Sequence, residues 1–510
     1  MIVRFFICIS LFAYCSLSAQ TVNYHADIAP ILRKNCVTCH RAGQVGPMPL
    51  TSYAEVSPYA KMIAYVTETG LMPPFIANAP QGVFKDEKHL SAEEIGLFKK
   101  WLESGLSEGK PPGEKQVKIP PPAPFLTEYD TVIGMTENFE QYGVYYDQFR
   151  VFVLPTDFAE DKIITATEFV PGSPNIVRGC SISADRSDRV RAWDEWDPQY
   201  GYYSFGELGF VPEESRFYNW YPGKTDVHFP EGTGRILPAG TKLLLHIHYG
   251  PTGVPQRDSS HIRLQFADRP PAQIIRTFPL INPANLTNDT FLLPAGAVTR
   301  MHASFTLPFD TEIFGLQPHA HFLAQEWEIF AVLPGRNTEV LFKTEEWDFH
   351  HKQKFTYRRP KILPAGTVIH ALTTYDNTAA NLFNPNEPPR TMTWGKRMYE
   401  EMFLVFFDVA PAARNTFDNL QILYHPANVT DSLFSVQINL QKREKLSVIV
   451  SDFAGERTSR QIQNQPFPKG KHRLNIPLRN FPPGNYYLTF QNRRGEEKHS
   501  FFVYLAEDTF

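Results

Sequence analysis

Ile236-Leu237-Pro238-Ala239-Gly240-Thr241 recurs as Ile362-Leu363-Pro364-Ala365-Gly366-Thr367, and eight residues beyond each threonine stands a tyrosine, Tyr249 and Tyr375. A common turn can repeat by chance. A matched turn feeding a matched strand predicts instead two related β-sandwiches in tandem, divided within 270–285. The surrounding composition agrees: 43 prolines, 40 phenylalanines and 22 tyrosines in 510 residues, with few long helical patterns, predict an all-β body over about 127–410.

Other segments flank that body. Residues 1–19 read as a secretory signal, with Arg4, an apolar run over 5–17 and the small pair Ser18-Ala19. Residues 22–106 form the helical part. Ser91-Ala92-Glu93-Glu94 is a capping box, Ile95, Phe98, Trp101 and Leu102 share one helix face, and Gly105 marks the stop. Proline-rich sequence over 111–124 predicts a stiff extended linker, assigned to 107–126. The sandwiches then take 127–272 and 273–412. A further small β-sandwich takes 418–510, where Phe434, Val436, Ile438 and Leu440 alternate with Ser435, Gln437 and Asn439. This last unit carries no cluster of reactive side chains and reads as an addressing or adhesion module. Net charge is −4 with scattered signs, which makes no case for a nucleic-acid partner.

Cys36-Val37-Thr38-Cys39-His40 carries the first chemistry. Two thiols three residues apart can each add to a haem vinyl group, and the adjacent imidazole then reaches the iron. Half a zinc site is the plainer alternative, but no second CxxC follows. Of five cysteines, Cys8 and Cys15 leave with the signal and Cys36 and Cys39 hold one covalent haem c. Only Cys180 remains, so no disulfide forms within a domain.

Gln317-Pro318-His319-Ala320-His321 carries the second. Alternate residues on a strand share a face, so both imidazoles project together, as a metal-binding pair requires. Met402 offers a thioether at the start of an apolar run. Two imidazoles and one thioether favour copper, since soft sulfur stabilises Cu(I) and nitrogen suits both states. Taken alone, a paired His is often a surface feature and a lone Met is usually core.

Several segments together resemble bacterial relatives of the type II copper, ascorbate-dependent monooxygenases, the family of peptidylglycine α-hydroxylating and dopamine β-monooxygenases. They are Phe169-Val170-Pro171-Gly172, Leu237-Pro238-Ala239-Gly240 leading to Ile247-His248-Tyr249-Gly250, Pro318-His319-Ala320-His321, and Trp394-Gly395 leading to Glu401-Met402. The resemblance spans about 145–410 and implies two jelly-roll-like sandwiches. It implies His319, His321 and Met402 as ligands of an oxygen-activating copper, and His248 as the third His of an electron-transferring copper. That second site also needs an adjacent His-His pair, where this chain has Arg178-Gly179. A guanidinium stays charged and glycine has no side chain, so the standard electron-transfer copper is not expected and His248 is its remnant. His246, on the same strand face, is a candidate to build a different site with His228 or Cys180. His350-His351 is an adjacent pair outside the family pattern.

The helical part is similar to the small cytochrome fused to such bacterial proteins, through Asp27-Ile28-Ala29-Pro30-Ile31-Leu32, Cys36–His40 with Arg41, and Met72-Pro73-Pro74. His40 is then the proximal ligand and Met72 the first choice for the distal one, with Met48, Met62 or an open position as alternatives. Leu423-Tyr424-His425-Pro426-Ala427 and Asp452-Phe453-Ala454-Gly455 resemble motifs of the Bacteroidetes type IX secretion sorting domain, with His425 where Asn is usual. The expectation is an exported protein of the periplasm, cell surface or medium, delivered by the type IX machinery. It holds one haem c and one copper, or two coppers if a second site assembles. It acts as an oxidoreductase and copper monooxygenase that uses O2 and an external electron donor on a small-molecule or peptide substrate. The alternatives are a non-enzymatic electron-transfer or copper-binding surface protein on a degenerate monooxygenase scaffold, and copper storage or delivery.

Overall fold

The computed structural model describes residues 22–111, 125–288, 290–350, 353–397, 399–412 and 417–505. The signal read at 1–19, most of the proline-rich linker and His351 lie outside these residues. The chain divides into two compact units. Among the described residues the smaller comprises 22–41, 48–73 and 90–111, and the larger comprises the rest.

The regular elements described in the smaller unit are helices, the longest being Ala29–Asn35, Ala60–Glu68 and Ala92–Glu103. The capping box forms: the Ser91 hydroxyl accepts from Glu94 N–H at 3.1 Å and the Glu94 carboxylate accepts from Ser91 N–H at 2.8 Å. At the exit, Gly105 takes φ 79°, and N–H groups of Gly105 and Leu106 reach back to the carbonyls of Leu102 and Trp101. That is the left-handed closure which glycine makes without strain. Phe98 and Trp101 are buried against Tyr24, Ile28, Leu32, Val56 and Ile63.

The larger unit is mainly β and holds three bodies in succession, each with sheets sharing one apolar core. In the first, the sheet containing Lys162–Val170 and His261–Phe266 shares a core with the sheet Gln148–Pro155, Lys242–Tyr249, Val177–Asp185. In the second, the sheet Arg276–Ile281, Leu404–Pro411, Thr311–His319, Phe355–Leu363 packs on the sheet Val298–Thr306, Val368–Asp376, Ala324–Val332, Thr338–Thr344. The third buries Phe434, Val436, Ile438 and Leu440 from one strand, the alternation read in its sequence. Within 22–106, residues 42–47 and 74–89 group with the larger unit. Phe84 is buried in its core, and Lys85 and Arg358 exchange backbone bonds with Thr356 and Val83.

The repeated turn is a repeat in space as well. Gly240 and Gly366 take φ 73° and 81°. Thr241 and Thr367 each donate to the proline carbonyl three residues back at 3.2 Å. Ala239 and Ala365 each donate to an aspartate, Asp161 and Asp310, at 2.9 Å. The following strands, Lys242–Tyr249 and Val368–Asp376, each carry a fully buried tyrosine at or next to their end, Tyr249 and Tyr375. In both copies Gly occupies the turn position with positive φ, which glycine adopts without strain.

The first two bodies meet around a buried polar knot. Asp408 pairs with Arg235 at 2.7 Å and Lys354 at 2.8 Å and accepts from Thr277 at 2.6 Å. Lys354 also donates to the Arg216 carbonyl at 2.8 Å. Burial pushes the Lys354 ammonium down to about 8, against the pull of Asp408. A base whose folded pKa lies below its unfolded value of 10.5 binds fewer protons in the folded state across that window. Its penalty therefore fades as pH rises from 8 to 10.5. Lys354→Met removes that penalty. The stability of native protein relative to this variant should rise by at most about 3.5 kcal/mol over the window, measured by denaturant unfolding at each pH. A difference independent of pH contradicts the assignment.

Candidate metal centres

His319 ends the strand Thr311–His319, which runs antiparallel to Leu404–Pro411 with His319 opposite Leu404, whereas His321 follows beyond the strand, so the two imidazoles do not share a strand face as the spacing predicts. The ladder ends at that pair, and His321 and Met402 lie just beyond it on the two segments. Glu401 ties the two segments together there. Its carboxylate accepts N–H bonds from His321 at 2.8 Å, Leu323 at 2.8 Å and Met402 at 3.0 Å. Burial pushes this carboxyl up to about 8, opposed by the three backbone donors. The Tyr375 hydroxyl donates to the Met402 carbonyl at 2.6 Å, so the tyrosine of the second repeat also anchors this corner. His319, His321 and Met402 are 2%, 0% and 0% exposed.

His321 Nδ1 lies 2.8 Å from the Glu400 carbonyl. A carbonyl only accepts, so Nδ1 carries the proton and the lone pair sits on Nε2, the orientation seen in metal-bound histidines. The rings of His319 and His321 are 5.6 Å apart at 85°. With metal–nitrogen bonds of about 2.0–2.1 Å, two imidazoles on one ion have centroids at most roughly 6.4 Å apart. The observed spacing is compatible with one shared ion.

A loop of the first body closes over the pair. Gly206 has φ 75°, and a Cβ on it would stand 3.2 Å from His321 Nε2. A side chain there would crowd the ring, and the positive φ already favours glycine. Phe205 and Phe349 pack edge-on to His321 at 5.5 and 5.8 Å. Glu207 Oε1 stands 3.1 Å from His319 Nε2, and the same carboxylate pairs with Arg216. Among the described residues no three His, Cys, Asp or Glu side chains form a metal-holding group. Completion of a site on His319 and His321 therefore falls to the Met402 thioether or to a shift of Glu207. Sequence reasoning missed Glu207 and Glu401. The one signal for Glu207 is an acid flanked by glycines in an apolar run, Phe205-Gly206-Glu207-Leu208-Gly209-Phe210.

His248 sits elsewhere, on Lys242–Tyr249, opposite Gly179 on one side and Phe149 on the other. Its Nε2 is 2.8 Å from Asp147 and its ring stacks on Phe149 at 4.5 Å. That hydrogen bond holds the Asp147 carboxyl below its usual range. His246 Nε2 donates to the Ser204 carbonyl at 2.9 Å. The site considered for His246 and His248 with Cys180 or His228 does not assemble. Cys180 lies opposite Ile247, packed in the apolar core where burial pushes its thiol up, and His228 bridges Ala166 on the other sheet. His350 holds Asp348 through Nδ1 at 2.8 Å, with its ring 6.2 Å from that of His248.

In the smaller unit, Cys36 follows the helix Ala29–Asn35 directly, and the N–H groups of Cys39 and His40 both donate to its carbonyl, at 3.1 and 2.9 Å. One tight turn thus gathers Cys36, Cys39 and His40, with both cysteines half-buried. His40 Nδ1 lies 3.2 Å from the Met48 carbonyl, which again puts the lone pair on Nε2, as an iron ligand requires. Burial lowers the His40 pKa, so the neutral ring is favoured. Met72 and Met62 are 39% and 42% exposed, whereas Met48 packs on the helical core.

No family model matches the chain, and no curated protein matches it. Among solved structures it has a faint likeness to PNGF-II, with TM-score 0.24 and 8% identity over 55% of this chain and 65% of that one. The β-D-mannosidase of Dictyoglomus thermophilum gives 0.12 and 12% over 40% and 29%, and red sea bream transglutaminase 0.14 and 10% over 47% and 32%. The chain spans less than two thirds of each of these proteins. Likeness at this level carries no argument about fold or activity.

Glu401→Ala leaves three buried N–H groups without their acceptor, each costing about 1–3 kcal/mol. The variant should lose roughly 3 kcal/mol or more in denaturant unfolding, far beyond a surface substitution. A loss below about 1 kcal/mol contradicts the clamp.

Proposed function

We propose that this chain is an exported oxidoreductase carrying covalent haem c and copper, a relative of the type II copper monooxygenases that hydroxylates a small-molecule or peptide substrate with O2. The smaller unit is its cytochrome and the first two β bodies are its paired jelly-roll-like sandwiches. The third is a sorting module for type IX secretion. The observation that carries this reading is the buried pair of His319 and His321 rings, 5.6 Å apart, with the backbones of His321 and Met402 tied together by Glu401.

Bound copper would supply one-electron chemistry and O2 activation toward a C–H bond, and covalent haem a second one-electron store on the same chain. The protein's own residues supply position and dryness. The Glu400 carbonyl fixes the His321 tautomer, Glu401 fixes the chain on both sides of the pair, and Phe205 and Phe349 exclude water from His321. Cys36, Cys39 and His40 would hold the haem, with Met72 as the distal partner.

Gly179 opposite His248 favours a second reading, in which the scaffold transfers electrons or binds copper without hydroxylation. Arg178 beside it cannot ligate a metal. Substrate-dependent O2 consumption separates the two readings, because only the first requires it.

Metal analysis of the purified chain should find one copper, lost in His321→Ala. Full retention of copper in that variant removes the pair from the site. Cys36→Ala should abolish double thioether attachment, seen as a shifted pyridine haemochrome spectrum or as haem extracted by acid ketone. An unchanged haemochrome spectrum with haem still resisting extraction rejects haem c at this motif.

A further inference from the structure

We propose that the loop 377–391 of the second β body is a rigid apolar tip that inserts into the surface of a zwitterionic phospholipid bilayer. It shares no residue with the candidate metal centres, so the inference stands apart from the copper reading.

Leu382 and Phe383 stand side by side in this loop, 94% and 67% exposed. Large apolar side chains gain by leaving water, and these two stay in it. Looseness is not the cause. Asn381 Oδ1 accepts from Phe383 N–H at 3.0 Å, and Asn381 Nδ2 donates to the Asp376 carbonyl at 2.8 Å. Asn384 Nδ2 donates to Asn377 Oδ1 at 3.0 Å, and Asn377 Nδ2 donates to the Leu293 and Arg390 carbonyls at 3.0 and 2.8 Å. Asparagine side chains that turn back onto nearby backbone hold a loop in one conformation. The loop is therefore ordered by folding itself, before any partner arrives.

The loop rests on a second apolar turn. Gly296 N–H donates to the Asn377 carbonyl at 2.9 Å, and Asn377 N–H donates to the Ala297 carbonyl at 3.0 Å. Leu292 and Val298 flank that turn and are 44% and 62% exposed. The shoulder of the tip is thus apolar too.

Area and charge select the occupant. Taking about 200 Å² for a whole side chain of this class, the exposed fractions of these four residues amount to roughly 500 Å². Each side of a stable protein interface covers about 800 Å², so the tip falls short of what a second copy or another protein needs. A bilayer sets no such threshold, because apolar groups enter its acyl boundary one at a time. The charged residues within 377–391 are Glu387 and Arg390, one of each sign. An anionic headgroup layer therefore has no net charge on this loop to attract, and a zwitterionic surface suits it. Two inserted side chains give weak, reversible attachment.

Flotation of the full chain with extruded phosphatidylcholine vesicles at millimolar lipid tests this. The native chain should float with the vesicles equally well in low and high salt. Leu382→Ser combined with Phe383→Ser should lower the partition coefficient by about 10-fold or more, with circular dichroism and melting unchanged. Should that double variant not fold, Leu382→Ala is the milder change and should lower partition by about 5-fold or more. A native chain that stays unbound overturns the proposal, as does a folded variant that floats as well as native. Flotation that needs anionic lipid and vanishes in high salt overturns it too, since that marks electrostatic attraction elsewhere on the chain. A native dimer that becomes monomeric in the double variant, seen by light scattering, gives the tip to a second copy instead and overturns it.

Discussion

The candidate metal centre depends on one constraint, the carboxylate of Glu401 gathering three backbone N–H groups at the mouth of an antiparallel pair. His321 and Met402 are 81 positions apart in sequence. They are neighbours because Thr311–His319 and Leu404–Pro411 run in register and because Glu401 closes the gap where the ladder ends. Backbone groups buried at a strand end must find partners, and here one side chain serves three of them. The same clamp sets where the thioether and the imidazole emerge.

A second requirement is that two β bodies remain packed. Asp408 collects Arg235 from the first body and Lys354 and Thr277 from the second, deep between sheets. The loop bearing Phe205, Gly206 and Glu207 is thereby held over histidines belonging to the other body. Breaking one partner of such a knot leaves a charge stranded in low dielectric, which costs more than the intact knot contributes. Site geometry and packing between the bodies are thus one problem rather than two.

The features readable in advance were those with local causes. The Pro-Ala-Gly turn needs positive φ at one residue, so its two copies announced themselves in sequence and match in space. The Ser91–Glu94 cap, the alternation from Phe434 to Leu440 and the Cys36–His40 turn are equally local. Glu207 and Glu401 act across long sequence gaps, and no periodicity marks them. The register between neighbouring strands was also hidden. A shift of one residue exchanges the faces, and only the pairing reveals that Cys180 meets Ile247 and that Gly179 meets His248. Residues 74–89 carry apolar side chains such as Phe75 and Phe84, but nothing local says which core receives them.

Copper-edge X-ray absorption on the full chain loaded with one equivalent of Cu(I) tests the central claim most directly. The account predicts a first shell of imidazole nitrogen with one sulfur scatterer, and loss of that sulfur alone in Met402→Leu. A shell of imidazoles without sulfur, or a sulfur that persists in the variant, contradicts it.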